Sequence, residues 1–237
     1  MDKGEPKADA GDYVYALTRA GISQIPFVGA PVAEILPLIL APPIEKRRSE
    51  WLKDLGEQLK LLEKQVEGFK LESLQKNETF ITTAIHASQA AIRNHQKEKL
   101  EALRNAVLNS ALPNPIEEDL QLVFLNFIDE LTPWHLRELK FFDNPRAWGQ
   151  KNNIDFGKPY TGSPSQIFEK AFSELRGRSE LYNVFTKDLF SRGLMTTDSL
   201  GGMMSESGIF ASRITNMGKE FLQFITSPIK EELKRKN

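Results

Sequence analysis

The sequence predicts a mainly α-helical protein, with an N-terminal antiparallel helical bundle followed by a smaller helical module that holds at most a small β hairpin. Apolar residues recur at steps of three and four along most of the chain, the spacing of helices that bury one face. Capping residues and glycines stand where these helices would begin and end. Only residues 205–215 are predicted to be extended.

Five helices are predicted within the first 130 residues. The first covers residues 12–20, and Asn77 is suited to cap the third. The fourth covers residues 96–111, and the acidic residues 117–119 suit the positive end of a fifth helix dipole. The long second helix covers residues 44–69, and its inward positions are Trp51, Leu55, Leu59, Leu62, Val66 and Phe69.

Residues 131–237 continue the helical pattern with different spacing. Thr132 can cap a helix that has Pro133 at its first position. A loop rich in Gly, Pro and Asn is expected over residues 143–165. Further helices are expected at 167–175, 179–192 and 216–226, and glycines 177 and 193 would end the first two.

Residues 21–43 form an apolar arm that contains five prolines and one charged residue, Glu34. The apolar surface of this arm has to leave water, so the arm is expected in a protein core, against a partner or in a lipid interface. Its prolines are expected to break or kink a helix, which makes the arm a poor candidate for a membrane span. We therefore divide the chain into the tail and arm (1–43), the bundle (44–130) and the C-terminal module (131–237).

Two hypotheses describe the arm. In one it wraps the bundle as short helical turns and belongs to the core. In the other it contacts a membrane or a partner through its apolar side chains, while the basic residues that follow meet anionic headgroups. The contact residues would be Ile25, Phe27, Val28, Ile35, Leu36, Leu38, Ile39, Leu40, Lys46, Arg47 and Arg48.

The order of elements in the C-terminal module resembles a winged helix-turn-helix. This resemblance implies a regulatory module for nucleic acid or protein, with the arm as core. Acidic Glu180 and Asp188 lie on the candidate recognition helix, which favours ordinary solvated positions over base contacts. The phosphate contacts that the resemblance implies are Arg176, Arg178, Lys187, Arg192 and, on the wing, Arg213.

Two segments, KLEALRNAVLNS at 99–110 and DLQLVFLNFIDELTP at 119–133, resemble the core of a group of uncharacterised bacterial all-helical proteins. They are also similar, more distantly, to the abortive-infection alpha family. The resemblance rests on apolar spacing and the Leu-Thr-Pro junction, and it covers about the middle third of the chain, outside the arm. It implies a bacterial cytosolic protein in phage defence or stress response.

The sequence indicates binding and not catalysis. It contains no cysteine and only three histidines, and His86 and His95 fall on opposed sides of one continuous helix. The acidic clusters at 117–119 and 129–130 are explained by helix ends and solvated faces. We therefore predict no catalytic residue, no cofactor and no metal.

Charge is distributed unevenly along the chain. Residues 1–130 carry 15 basic and 20 acidic side chains, net −5, and residues 131–237 carry 16 and 12, net +4. We expect a protein partner or self-association, with an anionic membrane surface and then nucleic acid as the alternatives. The polar N-terminus does not resemble a secretory signal, so we expect a cytoplasmic protein or one bound peripherally to a membrane.

Overall fold

The computed structural model describes residues 32–229, with side chains from residue 36 onward. The helix predicted at residues 12–20 lies outside this range. The mainly α-helical class is confirmed. The α-helices are α1 Val32–Gln65, α2 Glu78–Arg93, α3 Lys97–Ser110, α4 Glu118–Glu130, α5 Pro133–Asp143, α6 Pro145–Lys151, α7 Pro164–Ala171, α8 Ser179–Ser191, α9 Glu206–Ile209 and α10 Asn216–Phe224. Leu71–Lys76 and Ser173–Leu175 are 3-10 helices, and the strands are β1 Thr161–Gly162 and β2 Met204–Ser205.

The predicted helix ends are confirmed where a side chain or a glycine defines them. The Asn77 side chain accepts a hydrogen bond from the Phe80 amide at 3.0 Å, at the start of α2. At the start of α5, Thr132 forms a capping box with His135, and Pro133 is the first helical residue. Gly193 follows α8 with φ of 71°, a conformation that favours glycine.

Helix α1 differs most from the prediction. It begins at Val32, twelve residues before the predicted start of the long helix, and it continues through Pro37, Pro42 and Pro43. The predicted division of residues 32–43 into short helical turns is therefore wrong. A proline φ of about −65° fits a helix, so the chain can continue through these residues, although each proline removes one backbone donor and crowds the carbonyl four residues earlier. The Leu, Ile and Ala residues between the prolines have the propensity to continue the helix.

Helices α1 to α4 form the bundle, with α2 packed against α1, α3 and α4. Helix α10 crosses onto α3, α4 and α5, where the Phe221 ring meets the Phe124 ring with centroids 5.2 Å apart. One hydrophobic cluster thus contains residues from both sides of Glu130. Its fully buried members include Leu103, Phe124, Ile128, Leu139, Phe141, Phe142, Phe168, Leu189 and Phe221.

Two predictions for the C-terminal module need correction. The predicted strand at 205–215 begins in β2, but residues 206–209 form helix α9. The predicted loop at 143–165 contains helix α6, because Asn144 accepts from the Ala147 amide at 3.0 Å and Pro145 occupies the first helical position. Strands β1 and β2 pair antiparallel, and an antiparallel bridge joins Met195 to Ile214.

Candidate interaction site

The first half of α1 exposes a row of large apolar side chains. No side chain from residue 36 to residue 50 is buried. A soluble protein usually exposes such residues singly, so a row of them on one helix indicates a contact surface. We call these residues the α1 apolar row: Leu36 (61% exposed), Ile39 (48%), Leu40 (44%) and Ile44 (42%).

The α1 apolar row continues the face by which the second half of α1 packs on the bundle. At about 100° per residue, the row covers an arc of about 140° that includes the direction of Trp51 and Leu62. Trp51 and Leu62 are buried, at 6% and 0% exposure. The row is therefore the same apolar face, extended beyond the end of the bundle.

Trp51 and Arg47 mark where α1 joins the bundle. The Trp51 indole donates from Nε1 to Ser88 Oγ at 2.9 Å, and Ser88 Oγ donates to the Ala84 carbonyl at 2.6 Å. Arg47 donates from Nη1 to the Ile92 carbonyl at 3.3 Å, in the last turn of α2. Arg47 thus complements the negative end of the α2 helix dipole. One nitrogen of its guanidinium is therefore engaged in a contact within the protein.

Only some of the predicted contact residues have side chains in the part of the chain that the structure describes. Ile25, Phe27 and Val28 lie outside residues 32–229, and Ile35 lies in α1 where the side chains are not described. Leu36, Ile39 and Leu40 are exposed, and Leu38 is half-buried. Lys46 and Arg48 are exposed, and Lys46 Nζ lies 3.8 Å from Glu50 Oε1 in a solvated ion pair that contributes little.

The five basic residues assigned to nucleic acid by the winged-helix resemblance divide into two groups. Arg176, Arg178 and Lys187 are exposed at or near α8. Arg192 donates from Nη1 to Glu130 Oε2 at 2.7 Å, and its guanidinium lies 5.3 Å from the centre of the Phe127 ring. Arg192 therefore joins α8 to α4.

Arg213 lies inside the protein and not on an exposed wing. It is 5% exposed. Its Nη1 donates to the carbonyls of Ile209 (3.1 Å) and Ala211 (2.7 Å), and its Nη2 donates to the Gly208 carbonyl (2.6 Å). The guanidinium also lies 5.5 Å from the Phe142 ring centre. These contacts hold the segment around α9, so Arg213 is a structural clamp.

The sequence interpretation missed a buried polar pair on α5. His135 and Glu138 are both buried, one turn apart, and both face α8. Their signal was present in the sequence, because positions 135, 138, 139 and 142 share one helix face with the buried Leu139 and Phe142. A histidine and a glutamate on an apolar face predict buried titratable groups.

The described part of the chain has no helix that is long and apolar enough to cross a membrane. Residues 32–229 also bring together no group of three His, Asp or Glu side chains that could hold a metal ion. No protein-family model, curated protein or solved structure matches this chain. The abortive-infection and winged-helix resemblances therefore stay predictions.

Proposed function

We propose that this is a non-catalytic interaction protein that applies the α1 apolar row to an anionic membrane surface. The observation that carries the proposal is the row itself: four large apolar side chains between 42% and 61% exposed, on a helix half with no buried side chain among residues 36–50. The resemblance to the abortive-infection alpha family suggests bacterial phage defence or stress response as the setting.

The charges beside the α1 apolar row favour an anionic bilayer as the occupant. Lys46 and Arg48 are exposed within one turn of Ile44, where they can reach headgroups while the row enters the boundary with the acyl chains. The exposed Glu45 and Glu50 reduce the net positive charge at this end of the row. Binding is therefore expected to be weak and to fall as salt rises.

The exposed fractions of the four side chains set the free energy of membrane binding. Fully burying one such side chain contributes about 1.5–3 kcal/mol, and roughly half of each remains to be buried, so the row contributes roughly 3–6 kcal/mol. Each basic residue near an anionic surface adds about 1 kcal/mol. The total is comparable to one myristoyl chain, which binds a membrane marginally and reversibly.

Flotation of the full chain with vesicles tests the proposal. Vesicles of phosphatidylcholine with and without phosphatidylglycerol should be compared at low and high salt. The wild-type chain should float with the anionic vesicles at low salt, and Ile39→Asp and Arg48→Glu should each reduce that fraction. Ile85→Asp is the matched control, because Ile85 is 54% exposed on α2, away from the row.

Three outcomes would overturn the membrane proposal. The wild-type chain could fail to float with either vesicle, or Ile85→Asp could reduce flotation as much as Ile39→Asp. The row could instead mediate self-association, which sedimentation would detect as a concentration-dependent dimer that Ile39→Asp abolishes. That result would assign the row to a second copy of the chain.

A further inference from the structure

We propose that the interface between α5 and α8 is a proton-controlled latch that stays closed only while His135 and Glu138 are both uncharged. The two side chains lie one turn apart on α5, and both are buried against α8. The inference is independent of the α1 apolar row and of the membrane proposal.

His135 can hold its contacts only as the neutral imidazole. Its Nδ1 accepts a hydrogen bond from the Thr132 amide at 3.1 Å and lies 2.9 Å from Thr132 Oγ1, so the ring proton belongs on Nε2. Protonation would place a second N–H on Nδ1, directed at the Thr132 amide. The capping box at the start of α5 would then lose one of its two hydrogen bonds.

The Nε2 side of His135 offers limited support for a positive charge. Nε2 lies 3.4 Å from Asp188 Oδ2, close enough for an ion pair but without hydrogen-bond alignment. Two cations oppose protonation of the ring: Arg192, directly after α8, and Lys99 on α3. Burial, more than these cations, lowers the pKa of His135, and Asp188 only partly offsets it.

The surroundings of Glu138 favour the neutral acid. Its Oε1 lies 2.6 Å from Thr186 Oγ1, and that hydroxyl lies 2.9 Å from the Tyr182 carbonyl. The hydroxyl has one hydrogen, so a protonated Glu138 that donates to Thr186 lets Thr186 donate to Tyr182. A carboxylate would take that hydrogen and leave the Tyr182 carbonyl without it.

An ionised Glu138 would also lack a compensating charge. Its Oε2 is buried with no hydrogen-bond partner, and within residues 32–229 no cation of α3, α6, α8 or α10 lowers its pKa. Burial therefore raises the pKa of Glu138 to about 8, against the hydrogen bond with Thr186, which acts to lower it. A pKa of about 8 leaves the carboxyl group mostly protonated at neutral pH in the closed interface.

The two groups give opposite pH dependences. When the interface opens, His135 and Glu138 return toward ordinary pKa values of 6.5 and 4.5. Because the closed-state pKa of His135 is lowered, His135 favours opening as the pH falls below 6.5. Because the closed-state pKa of Glu138 is raised, Glu138 favours opening as the pH rises from 4.5 to about 8.

Each group changes the open population by up to about tenfold per pH unit within its window. In the wild-type chain the two trends oppose each other between pH 5 and 6.5, so the open population should change little there. Between pH 6.5 and 8 Glu138 dominates, and the open population should rise roughly tenfold, because His135 offsets part of the rise near pH 6.5 and Glu138 is itself half ionised in the closed state at about pH 8.

A single buried thiol can report the opening, because the chain contains no cysteine. Leu189→Cys places it on α8, at a residue with 0% exposure. The rate of thiol labelling, divided at each pH by the rate in the urea-unfolded chain, gives the open population. This reporter would be the common background for His135→Gln, Glu138→Gln and the surface controls His95→Gln and Glu174→Gln.

The variants should separate the effect of His135 on the open population from the effect of Glu138. His135→Gln keeps a capping-box side chain without a titrating ring, so its open population should rise continuously from pH 5 to 8. Glu138→Gln should abolish the rise above pH 6.5 and reveal an increase below it. The controls should follow the parent. Profiles of His135→Gln and Glu138→Gln that match the parent would overturn the proposal.

A second measurement covers the case in which a variant does not fold. The wild-type chain has three histidines, so the proton NMR signals of their rings can be assigned with His86→Gln and His95→Gln. The His135 ring should titrate below pH 6.5. As the pH is reduced, it should therefore become protonated only after an exposed histidine would. Titration of His135 at or above pH 6.5 would refute the latch without any α5 variant.

Discussion

Replacement of Arg213 by methionine is expected to destabilise the folded protein strongly. Methionine keeps the length of an unbranched side chain but has no donor. The change removes the hydrogen bonds that the guanidinium gives to the carbonyls of Gly208, Ile209 and Ala211, and its contact with the Phe142 ring. Those carbonyls would lose their charged partner next to the buried Ile209.

The size of the effect follows from two opposing contributions. A hydrogen bond from a charged donor contributes about 1.5–3 kcal/mol, so three give roughly 4.5–9 kcal/mol before any offset. The burial that lowers the pKa of Arg213 also makes the charge costly, by several kcal/mol. We therefore expect a net loss of about 3 kcal/mol, or about 6–12 °C in Tm for a protein of this size.

Thermal and urea unfolding of the full chain at neutral pH would measure this loss. Arg176→Met is the matched control, because Arg176 is exposed and its replacement should change the unfolding free energy by less than about 0.5 kcal/mol. A fall in Tm of less than about 2 °C for Arg213→Met would refute the clamp. Such a result would return Arg213 to the set of residues available for a phosphate contact.

Further substitutions at Gly218, Gly56, Trp51 and Ser88 test the packing. Gly218→Ala should lower the unfolding free energy by at least about 1–3 kcal/mol, because the added Cβ would lie 2.3 Å from the Leu194 carbonyl oxygen. Gly56→Ala inside α1 should instead raise the unfolding free energy by about 0.5–1 kcal/mol, because nothing lies within 4 Å of the added atom. Equal effects in urea unfolding would contradict the geometry. Trp51→Phe should cost about 1–2 kcal/mol through the lost hydrogen bond to Ser88, and Ser88→Ala in the Trp51→Phe background should then add little.

Helix ends were predictable from the sequence where the cap is local. Asn77 and Thr132 each hydrogen-bond a backbone amide or side chain only three residues away, so neighbouring residues contain the whole signal. The prolines of α1 were harder, because each disfavours a helix by itself while the flanking residues favour one. The balance along a 34-residue helix is not visible at any single position.

The positions of the charged side chains were less predictable. Arg213 and Arg176 have the same chemistry, and only the fold shows that one is buried and the other exposed. Long-range contacts decide this, such as the hydrogen bond between the Arg213 amide and the Phe142 carbonyl, 71 residues apart in sequence. Sequence spacing could identify the shared face of His135 and Glu138, but not the helix that covers it.

The unbroken course of α1 has a mechanical consequence. From Val32 to its anchor at Trp51 the helix rises about 28 Å, at about 1.5 Å per residue. A rotation of about 10° around that anchor would therefore move the far end by about 5 Å, which is about the rise of one helical turn. A small change in the angle at which α1 meets α2 would thus be amplified into a displacement of one helical turn at the far end.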